Sequence, residues 1–138
     1  MLAAVGFDGV PEAIRSLAMA RGRLLGASRE EVESAITTCA AALRHPLLLR
    51  AAIAARRGAV RREEPVLLRL PNGILAEGIV DLAFRDEDAR GSAWTVVDFK
   101  TDREIGTRQS EYERQVGLYA RAISKATGEP SNSWLLVV

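Results

Sequence analysis

The stretch AWTVVDFK, residues 93–100, decides how this chain is to be read. Side chains alternate across a strand, so Trp94, Val96, Asp98 and Lys100 share one face and Thr95, Val97 and Phe99 share the other. Both faces are mostly apolar, which predicts a strand covered on both sides. An acid and a lysine near the end of such a strand sit where desolvation is costly, so they must be paired or must hold a metal.

Immediately upstream, ILAEGIVDLAF (74–84) reads as a second strand with Asp81 inside an apolar run. Before it, VRREEPVLLRL reads as a strand beginning near residue 59, and the turn Pro71-Asn72-Gly73 joins the two as a hairpin. A charged loop, Arg85 to Gly91, is expected to lead into the third strand, giving an antiparallel meander. Downstream, a capping-box pattern from Ser110 to Glu113 opens a helix whose Tyr112, Val116, Tyr119, Ala120 and Ile123 form one apolar stripe. Gly128 and Pro130 close it, and WLLVV (134–138) is a final strand that pairs after this crossover.

The first 58 residues read as helices. Pro11 suits a helix start, with Ile14, Leu17, Ala18, Leu24 and Leu25 at roughly helical spacing. Ser28 to Glu31 is a capping box opening a second helix through Val32, Ala35, Ile36, Cys39, Ala40 and Leu43. His45-Pro46 breaks it and starts a third, which ends near Gly58. The expected fold class is therefore α/β: a mixed central sheet in βββαβ order (59–138) flanked by helices, with an N-terminal helical portion (1–58), all in one compact domain. The chain begins without an obvious cap and stops inside an apolar strand, so a fragment of a longer protein is expected.

Composition narrows the function. With 138 residues and 48% apolar content, one domain with a real core is expected. No apolar run approaches the ~18 residues needed to cross a bilayer, and MLAAVGFDGVPEA lacks the basic start and apolar run of a signal peptide, so no membrane partner is expected. Cys39, the one cysteine, permits no internal disulfide and reads as a small buried hydrophobe, consistent with a reducing cytoplasm. A net charge of +1 means that any nucleic-acid contact must be local. Of 19 lysines and arginines only Lys100 and Lys125 are lysine, which leaves 19 − 2 = 17 arginines. Lys100 thus reads as chosen for its compact ammonium with an adjustable pKa.

Asp81 and Asp98 lie on neighbouring strands and can converge. Two close carboxylates repel unless a cation sits between them. Mg²⁺, with Mn²⁺ as a substitute, suits such hard oxygen ligands and keeps waters for a substrate phosphate. The Phe99 carbonyl is a further candidate ligand. Lys100 would then position or deprotonate the attacking water or steady the phosphate. A buried ion pair of Lys100 with either acid, without chemistry, explains the same spacing.

Gly78-Ile-Val-Asp81, then Val97-Asp98-Phe99-Lys100-Thr101-Asp102, then Tyr112-x-x-Gln115-x-x-x-Tyr119-Ala120 resembles the RecB-like nuclease domain of the PD-(D/E)xK superfamily, of the type found at the C-terminus of AddA-like and UvrD/Rep-related helicase–nucleases. Arg62-Glu63-Glu64-Pro65 resembles the RExPF segment that opens that family's first strand, and the likeness covers about residues 45–138. It implies a restriction-endonuclease-like core and a metal-dependent DNA exonuclease. It further implies metal ligation by Asp81 and Asp98, a catalytic Lys100, and Gln115 and Tyr119 in the family's later motif, with Gln115 a catalytic residue pointed at the metal site or DNA and Tyr119 packed beneath it. Glu63 is a supporting residue on this view. Implied partners are DNA, with single-stranded ends, and an ATP-dependent helicase portion of the same or a partner chain, in cytoplasmic, nucleoid-associated double-strand-break repair and recombination. Arg50, Arg56, Arg57, Arg61 and Arg62 could track a phosphate backbone or simply form a solvated face. The chain departs from the family in lacking an upstream GTxxHxxxE-like histidine; His45 stands in a different context and is expected to pack at a helix start. That departure suits the alternative, a catalytically inactive domain of the same fold that binds DNA or docks helicase subunits.

Overall fold

Apolar stripes at helical spacing and three strand-like runs require a sheet with helices against its faces, and the computed structural model has this arrangement over the residues it describes, 6–7 and 11–138. Part of the N-terminal stretch read for a signal peptide, residues 1–5 and 8–10, lies outside the described residues. Helices α1 (Pro11–Leu25), α2 (Arg29–Ala42) and α3 (Pro46–Ala55) come first, then strands β1 (Val60–Arg69), β2 (Leu75–Asp88) and β3 (Gly91–Lys100). A short α4 (Asp102–Ile105), the long α5 (Gln109–Thr127) and β4 (Ser131–Val137) complete the chain. The sheet order is β1-β2-β3-β4, antiparallel except for the parallel β3–β4 pair that the α5 crossover requires. The fold is α/β, with a four-stranded mixed sheet flanked by helices.

Each face of the sheet has its own core. Leu47, Leu48, Ala51 and Ala54 of α3 pack on Leu82, Phe84 and Val97. Val116, Ala120 and Ile123 of α5 pack on Val80, Ala83, Trp94 and Val96 on the opposite side. A third cluster, Ile14, Cys39 and Ala42, seats α1 and α2 against Phe99 and Val138 at the C-terminal ends of β3 and β4. Cys39 is buried, as a small hydrophobe would be. Among the described residues no helix is long and apolar enough to cross a membrane.

The helix signals differ in how far they held. Ser28 caps α2 as a reciprocal box: Glu31 N donates to Ser28 Oγ at 3.2 Å and Ser28 N to Glu31 Oε2 at 2.7 Å. His45 caps α3 by accepting from Leu47 N, with Pro46 in the first turn. The box expected at Ser110 is not there. The α5 helix starts at Gln109 behind Arg108, which makes no side-chain cap, and the box in this region belongs to Thr101 and Glu104 on α4. Leu24 and Leu25 do not join the core; they are 86% and 82% exposed at the end of α1, beyond the last turn that α2 covers.

The charged loop expected from Arg85 is strand instead. β2 runs on to Asp88 and pairs with Gly91–Trp94 across a turn at residues 89–90. Its charges are satisfied by distant partners. The Arg85 guanidinium bonds Glu129, Glu87 and Ser92, and Asp86 holds Arg50 of α3. Glu129 also accepts from the Trp94 indole N–H at 2.9 Å.

Candidate functional site

The β2–β3 ladder stops at Leu82↔Val97. Beyond that point β3 continues to Lys100 paired only with β4, so the two inner strands part just where the acids lie. Asp81 bridges the gap: its Oδ2 accepts the Phe99 amide at 2.9 Å in place of a ladder partner.

The same level of the sheet is irregular on its other side. Arg62 pairs with Leu82 and Glu64 with Val80, but the pair between them, Glu63 with Asp81, is missing. Glu63 has φ 48°, the only positive φ of a non-glycine residue among those described. The facing of β2 also switches here. Val80 joins the α5 core and Leu82 the α3 core, although strict alternation would put both on one face.

Asp98 follows the alternation of β3 and faces the side of Trp94 and Val96. Its charge is close enough to act on the Asp81 carboxyl. Lys100 Nζ is 2.6 Å from Asp98 Oδ2, with side chains only 16% and 6% exposed. Lys100 is thus the partner of Oδ2, a buried oxygen that no other group reaches. Lys100 Nζ also lies 3.4 Å from the Phe99 carbonyl. Together these put two carboxylates, a backbone carbonyl and an ammonium at one strand end.

The electrostatics follow from this crowding. Burial pushes the Asp81 carboxyl above the ordinary range; the Phe99 amide opposes this, and the nearby Asp98 charge adds to it. Burial alone would lower the Lys100 ammonium, but its bond to Asp98 and the charges of Asp98, Asp81 and Glu104 outweigh it, and the net shift is upward. Burial likewise raises the Tyr119 phenol, with Asp98 adding to the shift.

Tyr119 sits at the site because Gly78 makes room. A Cβ on Gly78 would lie 2.2 Å from Tyr119 Cε1, and the backbone of Ile79 hydrogen-bonds the phenol. The glycine and the acid of the GxxD pattern thus serve one corner: Gly78 admits Tyr119, and Asp81 meets Phe99.

A cleft of about 940 Å³ opens onto this corner. Glu63, Asp81, Phe99 and Lys100 line one side, with Arg103 and Glu104 of α4, while α2 supplies Glu30, Glu31 and Ser34 opposite. Asp81, Asp98, Phe99 and Lys100 are therefore together, with Glu63 and Tyr119 beside them. Gln115 is not with them. It is exposed, off the buried stripe of α5, in a groove with Leu68, Glu77 and Leu118 that shares only Tyr119 with the site. Arg56 and Arg57 are exposed at the end of α3, where Arg57 faces Arg50, Arg85 and Asp86 in another depression. Arg61 turns back onto the carbonyls of Gly58 and Val60, and Arg62 lies over the Phe7 ring at 4.0 Å. The arginines do not form one track toward the acids.

Two contributors escape a reading of the sequence. Tyr112 is read there as part of an apolar stripe and of the quoted helix pattern but given no role, yet Lys100 Nζ lies 5.0 Å from its ring centroid. The α2 wall carries no chemical signature at all.

The residues present fit a hard divalent cation. The buried Asp98 Oδ2 has only Lys100 as its partner, the Asp81 carboxylate is near enough to feel its charge, and the ligand atoms on offer are all oxygen. Among the described residues no three side chains of His, Cys, Asp or Glu converge as a ligand set, so the protein's donors are two carboxylates with the Phe99 carbonyl.

No protein-family model matches the chain. Over 60 residues, 41% of the chain, it is 42% identical to an ATP-dependent helicase/nuclease subunit from Carboxydothermus hydrogenoformans. It spans about 5% of the length of that relative. The likeness is local, and it is to a helicase/nuclease protein.

Proposed function

We propose that this chain is the metal-dependent nuclease core of a helicase–nuclease that processes DNA ends in double-strand-break repair and recombination, built on a restriction-endonuclease-like βββαβ core. The observation that carries the proposal is the corner where β2 and β3 part. Asp81 and Asp98 lie close enough there for the charge of one to act on the other, and the buried Asp98 Oδ2 has only Lys100 as its partner. The local identity to a helicase/nuclease protein supports the same reading.

Asp81, Asp98 and the Phe99 carbonyl would hold Mg²⁺, or Mn²⁺ in its place. When bound, such an ion lowers the pKa of a water and offsets charge on the phosphate. Asp81 keeps its ligand geometry through the Phe99 amide, which ties it to β3 where the ladder has ended. Lys100 would act as a cation whose task is to steady negative charge on the phosphodiester. Tyr119, packed on the α5 side of the sheet, would close the site from that side. The cleft between these residues and α2 takes a single-stranded end.

The test is cleavage of end-labelled single-stranded DNA by the purified chain with Mg²⁺ or Mn²⁺, and with EDTA. Metal-dependent cutting is expected, lost by roughly a hundredfold or more in Lys100→Ala and Asp98→Asn. Cutting that persists in EDTA or in both variants contradicts the assignment. The close Lys100–Asp98 pair also suits a second reading, a catalytically inactive domain of this fold that binds DNA or docks helicase subunits. In that case the chain neither cleaves nor takes up Mn²⁺.

A further inference from the structure

Lys100 makes a cation–π contact with Tyr112 as well as its ion pair with Asp98. Lys100 has three neighbours: Asp98 at 2.6 Å, the Phe99 carbonyl at 3.4 Å, and the Tyr112 ring at 5.0 Å from its centroid. The first two are the groups assigned above to a divalent cation. Once they are engaged, the ammonium loses its nearest anion and gains a like-charged neighbour, and electrostatics alone would drive it away. The ring remains as a contacting partner that the metal does not use, beside the longer-range charge of Glu104.

We propose that Tyr112 is a positioning residue, whose ring face keeps the Lys100 ammonium at the phosphate when Asp98 is occupied by metal. An aromatic face attracts a cation through its quadrupole and takes up none of its N–H donors. The donors stay directed at the substrate, as a carboxylate partner would not allow. Tyr112 is itself fixed in place. It is half-buried on α5, one turn before Val116, which is buried against the sheet. Arg108, bonded to Glu111 through two nitrogens, lies 5.0 Å from the same ring centroid. The inference rests on the nuclease reading for its consequence and on the ring contact for its geometry, and the two are tested apart.

With only two lysines in the chain, the side-chain methylene signals of Lys100 are readily told from those of Lys125 by NMR. A proton above an aromatic face is shifted upfield by the ring current. The Lys100 ε-methylene is expected upfield of Lys125, to stay there when Mg²⁺ is added, and to lose the shift in Tyr112→Leu but not in Tyr112→Phe. In the cleavage assay, Tyr112→Leu is expected to lower kcat about tenfold with KM within about twofold, and Tyr112→Phe to recover the loss. The proposal is overturned if Mg²⁺ moves Lys100 off the ring, or if Tyr112→Leu leaves its signals unchanged. It is overturned equally if Tyr112→Phe cleaves as poorly as Tyr112→Leu. An absence of cleavage by the wild type, with the upfield signal intact in Mg²⁺, would count against the nuclease reading and leave the ring contact standing.

Discussion

Gly78 and Tyr119 make a contact that only a residue without a Cβ permits. An alanine at 78 would place its methyl 2.2 Å from the Tyr119 ring, and the ring is held by a hydrogen bond from Ile79 and by the site behind it. Gly78→Ala is expected to lose about 1–3 kcal/mol in urea denaturation, as overpacked sites do. Glu63 presents the opposite case. At φ 48° it bears a side chain where glycine is at ease, so Glu63→Gly is expected to gain about 1 kcal/mol in the same experiment. A loss would mean that contacts of the glutamate side chain outweigh the strain. Asp81 carries a signature in pH. Its folded pKa is raised, so its contribution to stability is greatest below the ordinary aspartate value near 3.9 and is lost as pH rises through the folded value. Asp81→Asn, which can still accept the Phe99 amide, is therefore expected to gain on wild type as pH rises from about 4 to 7 in metal-free buffer. Equal stability differences at both pH values would contradict the shift. These residue-scale features divide by how much they owe to local pattern. The facing of Asp98 and Lys100 is legible because strand alternation fixes it once both faces are apolar. The strain at Glu63 is not, because REEP contains no glycine or other mark of a positive φ, and Gln115 is misplaced because its spacing from Tyr119 leaves its exposure open.

At the scale of elements, the signals that held were those closed by neighbours in sequence. The Ser28–Glu31 box and the His45-Pro46 start each satisfy helix N–H groups within a turn, and both helices begin where those residues stand. Ser28→Ala is expected to cost about 1 kcal/mol in thermal or urea unfolding. Since α2 forms the far wall of the cleft, fraying its first turn should also loosen Glu30 and Glu31, seen as faster amide exchange there. The signals that failed were overridden from a distance. Arg85 to Asp88 reads as a polar loop because its partners, Arg50 and Glu129, lie 36 and 44 residues away. The box at Ser110 fits the pattern as well as the one at Ser28, but α5 starts earlier, and the box in this region is the one at Thr101 on α4. The parting of β2 from β3 after Leu82↔Val97 is likewise a property of the sheet, invisible in either strand alone.

The whole molecule brings these scales together. α3 and α5 cover the two faces of the sheet, α1 and α2 close over the C-terminal ends of β3 and β4, and the acids lie where these layers meet. That placement gives a half-buried corner with an open cleft beside it, which is what a hard cation and a phosphate need together. The central claim is that Asp81 and Asp98 form one divalent-metal site. The most direct test is titration of the chain with Mn²⁺ followed by electron paramagnetic resonance, with Asp81→Asn and Asp98→Asn alongside. One bound ion or a close pair, displaced by excess Mg²⁺ and lost or weakened by at least about tenfold in each variant, is the predicted result. Uptake by the wild type that neither substitution alters, or no uptake at all, would contradict it.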